Sequence, residues 1–505
     1  MNIRAGIMDI GSNSIRLVIY EVTEQGHYRV IQECKESARL SEKIDQQGYM
    51  SRQAVDKIVP IIRQFKSICD LYKVTHLRAA ATAAIRNAEN SSQIIEWLYQ
   101  DTGVAIEVLS GEQEGAAGFL GVVNTMNAQD GIIIDIGGGS TEVTLFRSRQ
   151  LIHTYSFPFG AVNMNVRFSG DGQWEAKHTQ ALEQYIREQL LQHEWIASNP
   201  GLPIIGLGGT IRTVGKMNQK KHRYSLPVTH HYQMRGEDVE ELYHSLPSMT
   251  VLQRKKIPGL SKSRADIIIP GVIIMQTIYR TAQASEWMIC GSGLRDGLFQ
   301  ELITPEHPIV PDPLEISLQN ILAFNTPVPP EHLERVSAHA RQLYAALEPA
   351  PLELDQKLLQ VSSRLYKTGA ALNYYQYSRH TYYWLLNTGL RGMTHREAVL
   401  TALIADYHPK ARTPEQIQEF KDILHDADDM RIYRLGSLVK LAAALDRSEL
   451  GSITEVTAQT KTGSVHLQLS CKTEPVLEMG ELEAAAKDVQ KAWDVNLSWS
   501  VHLLP

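Results

Sequence analysis

The stretch GIMDIGSNSIRLVIYE, residues 6–21, returns in altered form as IIIDIGGGSTEVTLFR, residues 132–147. Each copy runs from an apolar strand into Asp-Ile-Gly, then a small polar loop, then a second strand of alternating character. Asp9 aligns with Asp135, Gly11 with Gly137, Ser14 with Ser140 and Arg16 with Glu142. Two ordinary hairpins would not need an Asp at the mouth of each loop. A carboxylate at the end of a buried strand is costly unless it binds a metal or accepts hydrogen bonds. A tight Gly/Ser turn between strands exposes backbone N–H groups in a nest that suits phosphate oxygens. The repeat therefore predicts a duplicated α/β domain with a cleft between its halves and a phosphate cradle in each half. Gly11, Ser12, Asn13 and Ser14 with Arg16 form the first cradle, and Gly138, Gly139, Ser140 and Thr141 the second. Asp9, Asp135 and Glu142 are the oxygen ligands such a cleft would offer to Mg²⁺.

Around these loops, strands are expected over 3–8, 14–21, 132–136, 142–146 and 204–207, and helices over 53–72, 92–101, 113–124 and 174–194. This alternation of β-branched runs and helical periods is the α/β signature. The proline-rich stretch TPEHPIVPDP (304–313) closes it, and residues 314–448 read as helical throughout. ITEVTAQTKTGSVHLQL (453–469) alternates again, as a hairpin around Lys461-Thr462-Gly463. The expected domains are 1–124, 125–310, 311–450 and 451–505.

Other segments carry candidate chemistry. In VLSGEQEGAAGFLG (108–121), Ser110 and Gln113 have capping-box spacing. Glu112 and Glu114 then serve either as acids in the first turn favoured by the helix dipole, or, for a carboxylate at a cleft edge, as a general base. Arg86 in LRAAATAAIRNAEN is either a solvated surface residue or a bidentate phosphate partner. PIIGLGGTIRTVGKM presents Gly208, Gly209 and Thr210 where a strand enters a helix, a third anion site. Arg264 and Arg295 complete the set.

The chain of 505 residues is 43% hydrophobic and 21% charged with a net charge of −6, the profile of a globular protein with real cores. Any polyanion would have to be met by locally gathered Lys and Arg, because the overall field repels it. Cys34, Cys69, Cys290 and Cys471 have no metal-type spacing and read as reduced thiols of a cytoplasmic protein. The N-terminus does not read as a signal peptide, no stretch is apolar enough to span a membrane, and no nucleic-acid partner is expected.

Taken together, DIGSNSIRLVIYE, LRAAATAAIRNAEN, VLSGEQEG, IDIGGGSTEV, GLGGTIRTV, RADIIIPG and GSGLRDG resemble the exopolyphosphatase / guanosine pentaphosphate phosphohydrolase family over about the first 300 residues. The resemblance implies the actin-like, ribonuclease H-like two-lobed fold with its active site in the interdomain cleft. It also implies removal of terminal phosphate from inorganic polyphosphate or guanosine pentaphosphate with Mg²⁺, a monovalent cation such as K⁺ being a further option. Glu114 would be the catalytic glutamate, with Gly115 standing where the family usually has alanine. Asp135 and Glu142 would place metal and water, and Arg86 would face phosphate. A homodimer is implied as well. Other classes remain open: a non-catalytic polyphosphate- or alarmone-binding regulator, and an actin-like kinase that would consume nucleotide. The C-terminal half is similar to the HD-like helical extension of the long family members. Tyr366-Lys367 replaces its His-Asp pair, so no second hydrolase centre is expected, and His332, His380, His408 and Asp446 are expected to be structural.

Overall fold

A computed structural model of the chain describes residues 2–45, 47–169, 173–461 and 463–504. The chain divides into two compact units, Met1–Ile316 and Ser317–Pro505. The division falls a few residues beyond the proline-rich stretch because Ile316 packs against the cluster holding Leu298 and Phe299.

The first unit contains two sheets of the same design. In the first, β1 (Ile3–Ile10), β2 (Ser14–Val22), β3 (Tyr28–Ser37), β4 (His76–Ala81) and β5 (Ile106–Val108) lie in the order β3-β2-β1-β4-β5. In the second, β6 (Gly131–Ile136), β7 (Thr141–Arg147), β8 (Gln150–Phe157), β9 (Ile204–Leu207), β10 (Gln233–Met234) and β11 (Trp287–Ile289) lie in the order β10-β11-β9-β6-β7-β8. β1 pairs antiparallel with β2 and parallel with β4, as β6 does with β7 and β9. The sequence repeat is thus a repeat of topology. In both sheets the Asp-Ile-Gly turn lies at the carboxyl end of the central parallel strand, where open α/β sheets place their ligands.

The helix expected over 53–72 is two helices, Arg52–Asp56 and Val59–Leu71. Pro60 stands in the first turn of the second, where its missing N–H is harmless, and its ring blocks continuation from the turn before. The helix expected over 174–194 is shorter, Ala176–Leu190. β4 was not foreseen: HLRAAA has little β-propensity, yet Ala80 and Ala81 are fully buried in the centre of the first sheet.

The second unit is mainly helical. The helices Pro330–Leu347, Glu353–Leu365, His395–Ala405 and Asp428–Ala444 bury Val336, Leu358, Leu403 and Leu438. A sheet of β12 (Ile453–Lys461), β13 (Ser464–Cys471) and β14 (Asn496–Leu503) follows in that order, with Val476–Trp493 crossing between β13 and β14. β12 and β13 form the expected hairpin, whose Thr462 lies outside the described residues. Among the described residues no helix is long and apolar enough to cross a membrane.

Buried charge holds this unit together. His332 Nδ1 lies 2.8 Å from Asp446 Oδ2, and His332 Nε2 lies 2.6 Å from the Tyr366 hydroxyl. Arg335 and the Gly451 N–H also donate to Asp446, while Lys367 pairs with Glu449. Tyr366 and Lys367 therefore each have a partner, His332 and Glu449. Asp406 is fully buried; burial alone would raise its carboxyl, but hydrogen bonds from His408, Arg412 and Gln416 hold it down at about 2. A depressed carboxylate stabilises above its unfolded value and ceases to as pH falls through its folded value. Asp406→Asn is expected to cost the unit about 2 kcal/mol at neutral pH. Urea titrations should show that penalty shrinking as pH drops from about 4 towards 2.

Candidate active site

The two Asp-Ile-Gly loops close with the same hydrogen bond. Gly11 N–H donates to Ser14 O at 3.2 Å, and Gly137 N–H donates to Ser140 O at 2.9 Å. Behind each turn the strands pair Asp9 with Arg16 and Asp135 with Glu142 in direct register, so each pair shares one face of its sheet. Both loops line one cavity of about 160 Å³.

Asp9, Glu114, Asp135 and Glu142 line this cavity. Burial raises Asp9, against the pull of Arg295 and Arg16. Burial also pushes Asp135 up to about 6, with Arg212 opposing and Asp9 adding to the rise. Glu142 reaches about 7 through burial and the nearby charge of Asp135, despite hydrogen bonds from Ser156 and Ser140. Glu114 is raised by burial and by Glu142, against Arg86.

Glu114 is set by its helix. Ser110 caps Gly111–Val123, accepting from the Gln113 N–H at 3.1 Å while Gln113 Oε1 accepts from the Ser110 N–H at 2.8 Å. The helix lies close on β8: a Cβ on Gly115 would stand 2.1 Å from Thr154 Oγ1. Thr154, hydrogen-bonded to Thr144 at 2.7 Å, fills the volume an alanine methyl would take, which accounts for the glycine at this position. Arg86, at the end of the short helix Ala83–Arg86, donates to Glu114 Oε2 at 2.7 Å, to Leu109 O at 3.2 Å and to Ser156 Oγ at 3.3 Å. Ser156 in turn donates to Glu142 Oε1 at 2.7 Å. Arg86 and Ser156 therefore join Glu114 and Glu142 in one buried network.

Four arginines, Arg16, Arg212, Arg264 and Arg295, line the same cavity. Arg212 is anchored by donating to Gly208 O at 3.1 Å and Gly291 O at 2.8 Å, and Arg295 by donating to Glu33 at 2.8 Å. Burial, then Arg212 and Arg16, bring the Arg264 guanidinium down to about 10. Gly208 and Gly209, which open the helix Gly208–His222 after β9, make room for carboxylate and guanidinium alike. Gly208 has φ +82°, and a Cβ there would meet Asp135 Oδ1 at 2.5 Å; one on Gly209 would meet Arg264 Nη2 at 1.8 Å.

The cavity wall therefore gathers Asp9, Gly11, Ser12, Asn13, Ser14, Arg16, Glu114, Asp135, Gly138, Ser140, Glu142, Gly208, Gly209 and Arg264 from the sequence candidates. It does not include Arg86, Gly139, Thr141 or Thr210. The Thr141 hydroxyl donates inward to Phe159 O, and Thr210 packs beneath Gly271. Arg212 was missed by sequence reasoning, although an arginine four residues into the helix behind Gly208-Gly209 was a usable signal.

Among the described residues, no three acidic, His or Cys side chains converge as a ready metal-ligand group, so Asp9, Asp135 and Glu142 are neighbours rather than a preassembled cage. The donor set fits Mg²⁺ all the same, since that ion uses one or two carboxylates and retains water. Burial raises all four carboxylates, and a divalent cation beside them would favour their ionised forms.

Residues 18–306 match the Ppx/GppA phosphatase family, and residues 320–490 match its domain III. Exopolyphosphatase 1 of Mycobacterium tuberculosis is 26% identical over 307 residues, covering 60% of this chain and 89% of that protein. The Mycobacterium leprae protein of the same name is 26% identical over 307 residues, covering 60% of this chain and 90% of its own. The structure of an Aquifex aeolicus Ppx/GppA family member aligns with a TM-score of 0.53 at 23% identity, over 61% of this chain and 100% of that one. An exopolyphosphatase from Cytophaga hutchinsonii aligns with a TM-score of 0.56 at 23% identity, over the same shares. The repeated loops, the two-sheet unit built on them and the match over both units lead to one conclusion: the chain is a phosphatase belonging to the Ppx/GppA phosphatase family.

Proposed function

We propose that the enzyme is an exopolyphosphatase, releasing the terminal phosphate of inorganic polyphosphate by in-line attack of water. The observation that carries this reading is one cavity lined by Asp9, Glu114, Asp135 and Glu142 together with four arginines and both loops. A phosphoanhydride chain is anionic along its whole length, so it needs cations beyond the reacting group. Arg16, Arg212, Arg264 and Arg295 would hold the phosphates behind the terminal one. The terminal phosphoryl group would lie against the N–H nests of the two loops, within reach of the carboxylates. The larger apolar side chains of the lining, Ile136, Val162, Ile267 and Leu294, are aliphatic and suit a bare phosphate chain better than a purine ring.

Glu114 would accept the proton of the attacking water. Burial and the neighbouring Glu142 raise its carboxyl above the ordinary range, the direction that makes a carboxylate a stronger base. Arg86 and Ser156 would fix the positions of Glu114 and Glu142 rather than touch substrate. Asp135 and Glu142, with Asp9 behind them, would hold Mg²⁺, which when bound supplies charge neutralisation for the phosphoryl oxygens. The backbone N–H groups would stabilise charge that grows on those oxygens. Three buried free thiols support a reducing, cytoplasmic location.

The test is phosphate release from long-chain polyphosphate and from guanosine pentaphosphate, each with Mg²⁺ and with EDTA. Metal-dependent release mainly from polyphosphate is expected. Release mainly from the nucleotide would replace the substrate and leave the site intact. Gly209→Ala should push Arg264 aside, because the clash is with the end of a flexible side chain. Steady-state kinetics should then show KM for polyphosphate raised about ten-fold, with kcat and melting temperature little changed.

A further inference from the structure

The second unit contains a cavity of its own, of about 420 Å³, within the range of about 300–1,000 Å³ typical of small-molecule sites. Five tyrosines line it, and two of them, Tyr374 and Tyr375, are 56% and 79% exposed. Rings left in water at the mouth of a cavity mark a surface that a ligand would cover. Deeper in the wall lies Lys367, 3% exposed, with Nζ 5.3 Å from the centroid of Tyr374 and 5.5 Å from that of Tyr377. Arg447 also hydrogen-bonds the phenol of Tyr374. Two cations thus bear on Tyr374.

Three cations line the cavity, and each is held by a carboxylate: Lys367 by Glu449, Lys440 by Asp488 at 2.7 Å and Arg447 by Glu481 at 3.7 Å. An ammonium carries three N–H donors and a guanidinium five, so each pair leaves donors for an anion. An inorganic anion would use the cations and leave the tyrosines uncovered, and a neutral ring would do the reverse. A ligand with both parts uses the whole site.

We propose that this cavity binds a nucleoside monophosphate, with its base stacked on Tyr375 and its edge towards Tyr374, which stands at 87° to Tyr375, and its phosphate held by Lys367 and Arg447. Base–aromatic stacking tolerates any base, so the site selects the combination of ring and phosphate rather than one nucleobase. The proposal is independent of the substrate assigned to the catalytic cleft.

Calorimetric titration of the full chain with AMP in EDTA tests it, with adenosine and ribose 5-phosphate as part-ligands. AMP should saturate a single site, and each part-ligand should bind about ten-fold more weakly or worse. Tyr375→Ala and Arg447→Gln should each weaken AMP about ten-fold, whereas Arg264→Gln in the catalytic cleft should leave it unchanged. Tyr375 is so exposed that its truncation should not alter the melting temperature, which separates loss of binding from loss of fold. The proposal is overturned if AMP does not saturate at millimolar concentration. It is equally overturned if Arg264→Gln abolishes AMP binding while Tyr375→Ala spares it, or if ribose 5-phosphate binds as tightly as AMP.

Discussion

Glu114→Gln is expected to lower kcat for polyphosphate about a thousand-fold, within the span of about 10²–10⁴ that a positioned general base contributes. Glutamine keeps the volume and can still accept from Arg86, so the network around Leu109 and Ser156 should survive. It cannot take a proton from water. Binding of the chain should be nearly unchanged, because the four arginines of the lining that would hold it are left as they are. Single-turnover kinetics read the loss, and equilibrium binding of labelled polyphosphate reads the retention. A variant with near wild-type turnover would remove Glu114 from the mechanism, and one that lost binding as well would make it a structural residue.

The second large effect is expected at Arg86, which touches both carboxylates and does not line the cavity. Arg86→Gln should reduce kcat/KM about a hundred-fold, the scale of loss that small misplacements of catalytic groups produce. Its pH dependence is the more discriminating readout. Arg86 lowers the pKa of both Glu114 and Glu142. Without it both carboxyls rise further, and a base that acts only when ionised needs a higher pH. The acidic limb of the kcat/KM profile should therefore move towards alkaline pH. A variant that merely loosened the fold would lose melting temperature and leave that limb in place.

Much of this was legible because the chain says the important thing twice. Asp9 and Asp135 head loops that matched in sequence, and the structure repeats them in strand order, register and turn hydrogen bond. The capping box that places Glu114 was also readable, being a local pattern with a local cause. What escaped depended on distant partners. Strand β4 is built of alanines because helices crowd it, not because the segment favours extension. Arg86 looked like a phosphate ligand, and only the approach of the helix Gly111–Val123 and of Ser156 shows its guanidinium already engaged. Arg212 gained meaning once Gly208 and Gly291 offered their carbonyls across the chain.

The two halves of the first unit agree at Asp9 and Asp135 but part at the residue facing each across its hairpin, Arg16 in one and Glu142 in the other. That difference breaks the internal twofold. A symmetric cleft would accept a uniform polymer in either orientation, and at any point along it. With a cation in one half and a carboxylate in the other at this position, the cleft has a head and a tail, so a featureless chain bound as proposed would acquire a direction on entering, and cleavage would be confined to whichever end reached Glu142.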